Sequence, residues 1–143
     1  MPADTIDCVL TTWSMDRPAL QKIRREVFID EQMFPESEEW DDEDAVSVHA
    51  LATLNREPVG TGRLNPGGKI GRIAVIAGLR GRGIGTLILR QLLYEAYHRG
   101  IREPYLHAQV QAVPFYEKHG FRIEGDVFDE AGVSHVRMKH ALE

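Results

Sequence analysis

The sequence predicts an α/β domain of the α+β kind: a mixed, mostly antiparallel twisted sheet of about six or seven strands, flanked by about four helices. Short stretches of alternating apolar and polar residues recur along the chain and are divided by Asn, Pro and Gly turns. One long helical stripe stands in the middle, directly after a glycine-dense loop. No linker, internal repeat or low-complexity segment interrupts the pattern, so residues 1–143 read as one domain.

Ile6, Cys8 and Leu10 alternate over residues 5–12, the pattern of a half-buried first strand. Asp16 and Pro18 mark a helix start, and Leu20, Ile23 and Val27 continue at helical spacing until the helix fades near Asp30. Residues 46–54 alternate again through Val46, Val48, Ala50 and Ala52. A turn at 55–58 leads to the hairpin partner at 59–64, and a second turn at 65–68 leads to a strand over 69–76. The long helix begins at Gly83 with Ile84, Ile88, Leu92 and Ala96 beside Leu89, Leu93 and Tyr97, and Gly100 ends it. A strand at 105–109, a short helix at 113–118 stopped by Gly120, and closing strands at 121–123 and 134–139 complete the sheet, the last two joined through 125–132.

Composition narrows the function. The net charge of −5 is concentrated: residues 30–44 hold nine of the 22 acidic residues and no basic one. The remainder is therefore net basic, which suits an anionic ligand, while a pI near 5.7 argues against nucleic acid as a partner. The acidic segment reads first as a solvated loop or the rim of a homodimer, with Phe34 and Trp40 packing it down. Its functional reading is a surface that attracts a cationic amine. No apolar run approaches the ~20 residues of a membrane span, and no signal peptide is visible at the start. The single cysteine, Cys8, permits no internal disulfide and fits a reducing cytoplasmic setting; in its amphipathic strand it reads as a core residue. The six histidines lack metal-ligand spacing and the acidic loop lacks the pattern of a calcium loop, so no metal is expected.

The chemistry concentrates in Arg80-Gly81-Arg82-Gly83-Ile84-Gly85, which joins an apolar strand to the long helix. Bare N–H groups at a helix start, flanked by arginines, make a pyrophosphate site. A P-loop would need Lys-Ser/Thr after its last glycine, and Ile84-Gly85-Thr86 stands there instead. The glycine step is wrong for a dinucleotide fingerprint, and the partners of a protein-kinase loop are missing.

Arg72-x-Ala74-Val75 followed by Arg80-Gly81-x-Gly83-x-Gly85 resembles the acyl-CoA-binding core of the GNAT superfamily of N-acetyltransferases. The family pattern Arg/Gln-x-x-Gly-x-Gly/Ala is met at Arg80, Gly83 and Gly85. Gln109-x-x-Ala112-x-x-x-Tyr116-Glu117-Lys118-x-Gly120-Phe121 resembles the strand–helix–strand that follows, with Gln109 where the family usually places Asn. Val27-Phe28-x-x-Glu31-Gln32, His49, Leu106-His107-Ala108-Gln109 and His135-x-x-Met138 resemble the ElaA-like branch.

The resemblance implies the acyl-CoA N-acyltransferase fold, acetyl-CoA as co-substrate, and direct transfer of its acetyl group to a small amine or a protein amino group. The non-catalytic alternative is an acyl-CoA-binding or sensing module on the same fold. It places the pantetheine arm along Ile73, Ala74 and Val75, an edge to which an amide-rich chain can pair as a strand would. The pyrophosphate falls to Arg80, Gly81, Arg82, Gly83, Ile84, Gly85 and Thr86, and Gln109, Phe115 and Lys118 complete the cofactor set. Tyr116 is implied as the acid toward the departing thiolate. An ammonium has no lone pair with which to attack, so a base is also needed; Glu31 and His107 are the candidates.

Overall fold

The computed structural model describes residues 3–141. Its sheet runs β1-β2-β3-β4-β5-β8-β6, with β7 paired to β8, and every pairing is antiparallel except β4 with β5. The strands are β1 Ile6–Thr12, β2 Val48–Leu54, β3 Glu57–Leu64, β4 Lys69–Val75, β5 Tyr105–Gln109, β6 Phe121–Ile123, β7 Phe128–Glu130 and β8 Val133–His140. The helices are α1 Trp13–Arg24, α2 Glu36–Glu39, α3 Ile84–His98 and α4 Val113–Lys118. The mixed sheet with four α-helices is the architecture predicted from sequence, with one strand more. That strand is β7, three residues inside the segment expected to be a connector, too short to show periodicity.

Two other boundaries moved for local reasons. Helix α1 starts at Trp13, where the Thr12 hydroxyl accepts the Met15 N–H at 3.2 Å. The backbone leaves helical geometry at Asp16, φ −128°, so Pro18 still falls in the first turn after the kink. Beyond Arg24 the helix widens into a π-helical stretch, Arg25–Glu31. The hairpin turn is only Asn55 and Arg56, at φ 50° and 73°, the left-handed pair that a tight two-residue hairpin needs, and it lets β3 begin at Glu57.

The sheet is covered on both faces. Along β2, Ala50 and Ala52 pack into the cluster under α3 with Leu64, Ile84, Ile88, Leu89 and Leu92, while Leu51 packs with Leu20, Ile23, Val27 and Phe28 of α1 and its extension. Strand alternation assigns the two sides. Helix α3 seats closely because β3 offers Gly62: a Cβ there would lie 2.7 Å from Ile88 Cγ2 and 2.8 Å from Leu92 Cδ1. Cys8 is half-buried against this core, and burial pushes its thiol up to about 11.

Candidate active site

The parallel strands β4 and β5 stay paired only at Lys69–Tyr105 and Ile70–Leu106. Beyond these residues they part. On its other side, β4 shifts register against β3 between Ala74–Thr61 and Gly71–Arg63, a bulge at which Arg72 takes φ 52°. A bulge bends the strand that carries it, so β4 turns away from β5. The β5-facing edge of Ile73, Ala74 and Val75 is left without a strand partner among the described residues.

The glycine loop stands at the end of β4. Gly81 and Gly83 hold φ 81° and 83°, which side-chain-bearing residues resist, and α3 starts at Ile84 with no side-chain cap. The first intrahelical bond is Leu87 N–H to Gly83 C=O at 3.1 Å. Consequently the six N–H groups of residues 81–86 have no protein acceptor among the described residues. Arg80 spans the loop: its Nε donates to Val75 C=O at 2.9 Å, and its two terminal nitrogens hold both Glu31 oxygens at 2.6 and 2.7 Å. Arg82 meets Asp4 at 3.2 Å in an exposed pair. Phe115 lies beside Gly85, edge-on to Tyr116 and His119; His119 Nε2 is 3.3 Å from the Thr86 hydroxyl; Lys118 is exposed on the last turn of α4.

The parting strands open into a cleft of 880 Å³, lined by Lys69, Arg72 and Ile73 of β4, His107 and Gln109 of β5, Tyr116 of α4, and the acidic segment. Tyr116 packs edge-on against Phe115 and Phe121, and its hydroxyl bonds to no described residue. Burial pushes this phenol up to about 12, so it remains protonated at neutral pH. His107 Nδ1 lies 3.0 Å from Glu130 Oε1. An ionised carboxylate only accepts, so Nδ1 carries the proton and Nε2 keeps the basic lone pair. His135 donates from Nδ1 to Val133 C=O at 2.8 Å, and its Nε2 is 3.7 Å from Glu130 Oε2. Burial would raise the Glu130 carboxyl, but the His107 hydrogen bond and the charge of Lys69 outweigh it and hold the group below its ordinary value.

The acidic segment is anchored, which corrects the expectation of a solvated loop. Arg24, 0% exposed, donates to Glu39 at 2.8 Å and Asp44 at 2.6 Å and lies over the rings of Trp13 and Trp40. Arg63 reaches Asp41 at 2.7 Å and Asp44 at 2.9 Å. Arg72 approaches Glu39 and Asp41 at 3.2 and 3.3 Å. Burial drives Glu39 upward, whereas the hydrogen bonds from Arg24 and Arg63 overcome burial at Asp44 and lower it. The buried acids of this segment bind the chain's own arginines, and Glu38 and Glu43 remain as exposed acids on the cleft wall.

His107 and Tyr116 therefore share one cleft, and Gln109 joins them, its side chain bridging to Gln32 at 3.1 Å. Glu31 does not line that cleft; its carboxylate is bound to Arg80 and held below its ordinary pKa chiefly by that hydrogen bond. Sequence reasoning missed Glu130, Lys69 and Arg72 as cleft residues. The positive-φ bulge that aims Arg72 leaves no mark in periodicity, and Glu130 ends the three-residue strand β7, 23 residues from the histidine it meets. Among the described residues no helix is long and apolar enough to cross a membrane.

The chain has clear relatives. A family model described as an acetyltransferase (GNAT) domain matches residues 15–142. The uncharacterized N-acetyltransferase YjcF of Bacillus subtilis is 40% identical over 120 residues, 81% of this chain and 86% of that protein. Protein ElaA of Escherichia coli is 31% identical over 128 residues, 84% of either chain. The ElaA crystal structure superposes with a TM-score of 0.84 at 27% identity, covering 94% of this chain and 99% of that one. An acyl-CoA N-acyltransferase from Pseudomonas aeruginosa gives a TM-score of 0.86 at 27% identity, covering 96% and 100%. Since YjcF is nearer in sequence than ElaA, the relationship is wider than the ElaA-like branch to which the sequence motifs point.

Proposed function

We propose, for a chain that belongs to the GNAT family of acetyltransferases, that it transfers the acetyl group of acetyl-CoA directly to an amine held in the cleft between β4 and β5. The observation that carries this reading is the run of six unpaired N–H groups over residues 81–86, beside an unpaired strand edge. Converging backbone donors at a helix start fit a diphosphate, and Arg80 and Arg82 add charge to them. The Ile73–Val75 edge fits an extended, amide-bearing arm. When bound, the co-substrate supplies the activated acyl thioester.

The chain's residues then have two tasks. His107 takes a proton from the incoming ammonium on Nε2, while Glu130 holds Nδ1–H and stabilises the imidazolium that forms. Tyr116 directs its O–H at the sulfur as the carbon–sulfur bond breaks and the electron pair moves to sulfur. A phenol at about 12 is a weaker acid than a thiol of pKa ~8.5, so the resting group is better matched to hydrogen-bond donation than to full proton transfer. Glu31 acts on the other side, fixing the Arg80 side chain at the start of the loop. Cys8 lies outside the cleft with its thiol raised to about 11, which favours direct attack over an acyl-enzyme. Release of thiol from acetyl-CoA, followed across a panel of amines, tests the reading. Acceptor-dependent release supports it, and tight acetyl-CoA binding without turnover on any amine favours the sensing module.

A further inference from the structure

The charges in and behind the cleft wall match in number but not in contact. Three arginines, the buried Arg24 and Arg63 and the partly exposed Arg72, share three carboxylates, Glu39, Asp41 and Asp44. Arg24 is fully engaged, but Arg72 is poorly served. Its Nη2 makes only long hydrogen bonds, 3.2 to 3.4 Å, and its buried Nε, 3.2 Å from Glu39 Oε2, is out of line for one. A guanidinium gains most from a planar bidentate acceptor, and this one lacks it.

Lys69 lies three residues earlier on the same strand and lines the same cleft. It is half-buried and makes no ion pair or side-chain hydrogen bond among the described residues. The carboxylate nearest to it in effect, Glu130, turns Oε1 to His107 and Oε2 toward His135. Burial, with Arg63 and Arg72 nearby, lowers the Lys69 ammonium below its ordinary pKa, the response of a cation in want of a counter-charge. The exposed wall has the opposite sign, where Glu38 and Glu43 have no cationic partner among the described residues. Unpaired acids on the rim and two poorly partnered cations, Lys69 and Arg72, within make a pattern for a molecule bearing both charges.

Resting on the acetyl-transfer reading, we propose that the acceptor is a small amino acid or ω-amino acid, whose carboxylate is received by Lys69 with Arg72 while its amine faces Tyr116 and His107. A simple polyamine would leave the Lys69–Arg72 pair uncompensated and add a third cation beside it. A zwitterion supplies the missing acceptor.

The test compares glycine, β-alanine and 4-aminobutyrate with their carboxamides and with putrescine as acceptors, using the full chain and Lys69→Met and Lys69→Arg variants. The carboxylate acceptors are expected to lead in kcat/KM. Lys69→Met should lower their values about 10- to 150-fold, the worth of one charged hydrogen bond, lower those of the carboxamides far less, and be largely rescued by Lys69→Arg. Carboxamides or putrescine matching the carboxylates in the parent protein would overturn the inference while leaving acetyl transfer intact. Equal losses on every acceptor in Lys69→Met would overturn it as well, by making Lys69 structural. A turnover-free arm separates the inference from the reading beneath it. N-acetyl-β-alanine should bind more tightly than its carboxamide by calorimetry, and Lys69→Met should abolish the difference. Equal affinities would sink the carboxylate site whether or not any acceptor turns over.

Discussion

Replacing Tyr116 by Phe removes one oxygen and little else. The ring is held by edge-on contacts with Phe115, centroids 5.2 Å apart, and Phe121, 5.8 Å apart, neither of which involves the hydroxyl. No described residue hydrogen-bonds to that hydroxyl, so its loss orphans no buried partner, and folding stability should change by less than about 0.5 kcal/mol. Acetyl-CoA affinity should also hold, because a thioester sulfur is a poor acceptor before the bond breaks. The cost falls on the step in which sulfur gains charge. A hydrogen bond to a charged group is worth about 1.5–3 kcal/mol, or about 10- to 150-fold in kcat. Thiol release at saturating acetyl-CoA and acceptor measures that factor, with calorimetry and thermal unfolding on the same sample as controls. An unchanged kcat, or a loss matched by weaker acetyl-CoA binding, would refute the assignment.

Other consequences follow from the same geometry. Asp44→Asn leaves Arg24 and Arg63 buried without their shared charge and should cost about 3–5 kcal/mol in urea unfolding, against less than about 0.5 kcal/mol for the exposed Glu43→Gln. His107→Gln should lower turnover about 100-fold or more and remove the acidic limb of the pH–rate profile, whereas Glu31→Gln should weaken acetyl-CoA binding and leave that limb in place. His49, His119 and His140 are all lowered by burial, so the unfolded chain takes up protons first as pH falls. Their stabilising contribution should be complete above pH ~6.5 and be lost as pH drops through their folded values; a urea midpoint identical at pH 7.5 and 5.5 would contradict this.

What the sequence discloses depends on the range of the interaction. Helix α3 and its glycine start are local, so Ile84, Ile88, Leu92 and Ala96 announce the buried face and Gly83 the turn. The acidic run is different. Nine carboxylates without a base among them look like a wet loop, because the arginines that claim Glu39, Asp41 and Asp44 come from α1, β3 and β4, up to 33 residues away. Glu31 illustrates the same limit. Its position beside a helix end made it a candidate base, but its partner is Arg80, 49 residues on, and that contact commits the carboxylate to the loop. Tyr116 is legible only through a family motif; periodicity alone makes it a packed aromatic, which by its ring contacts it also is.

Acetyl transfer by this chain depends on where the diphosphate is held. Titrating ¹⁵N-labelled protein with acetyl-CoA and following the backbone amides measures this directly. The largest shifts are expected at residues 81–86, with smaller ones along Ile73–Val75. Unmoved amides at 81–86 in a protein that binds acetyl-CoA elsewhere, or does not bind it at all, would contradict that placement.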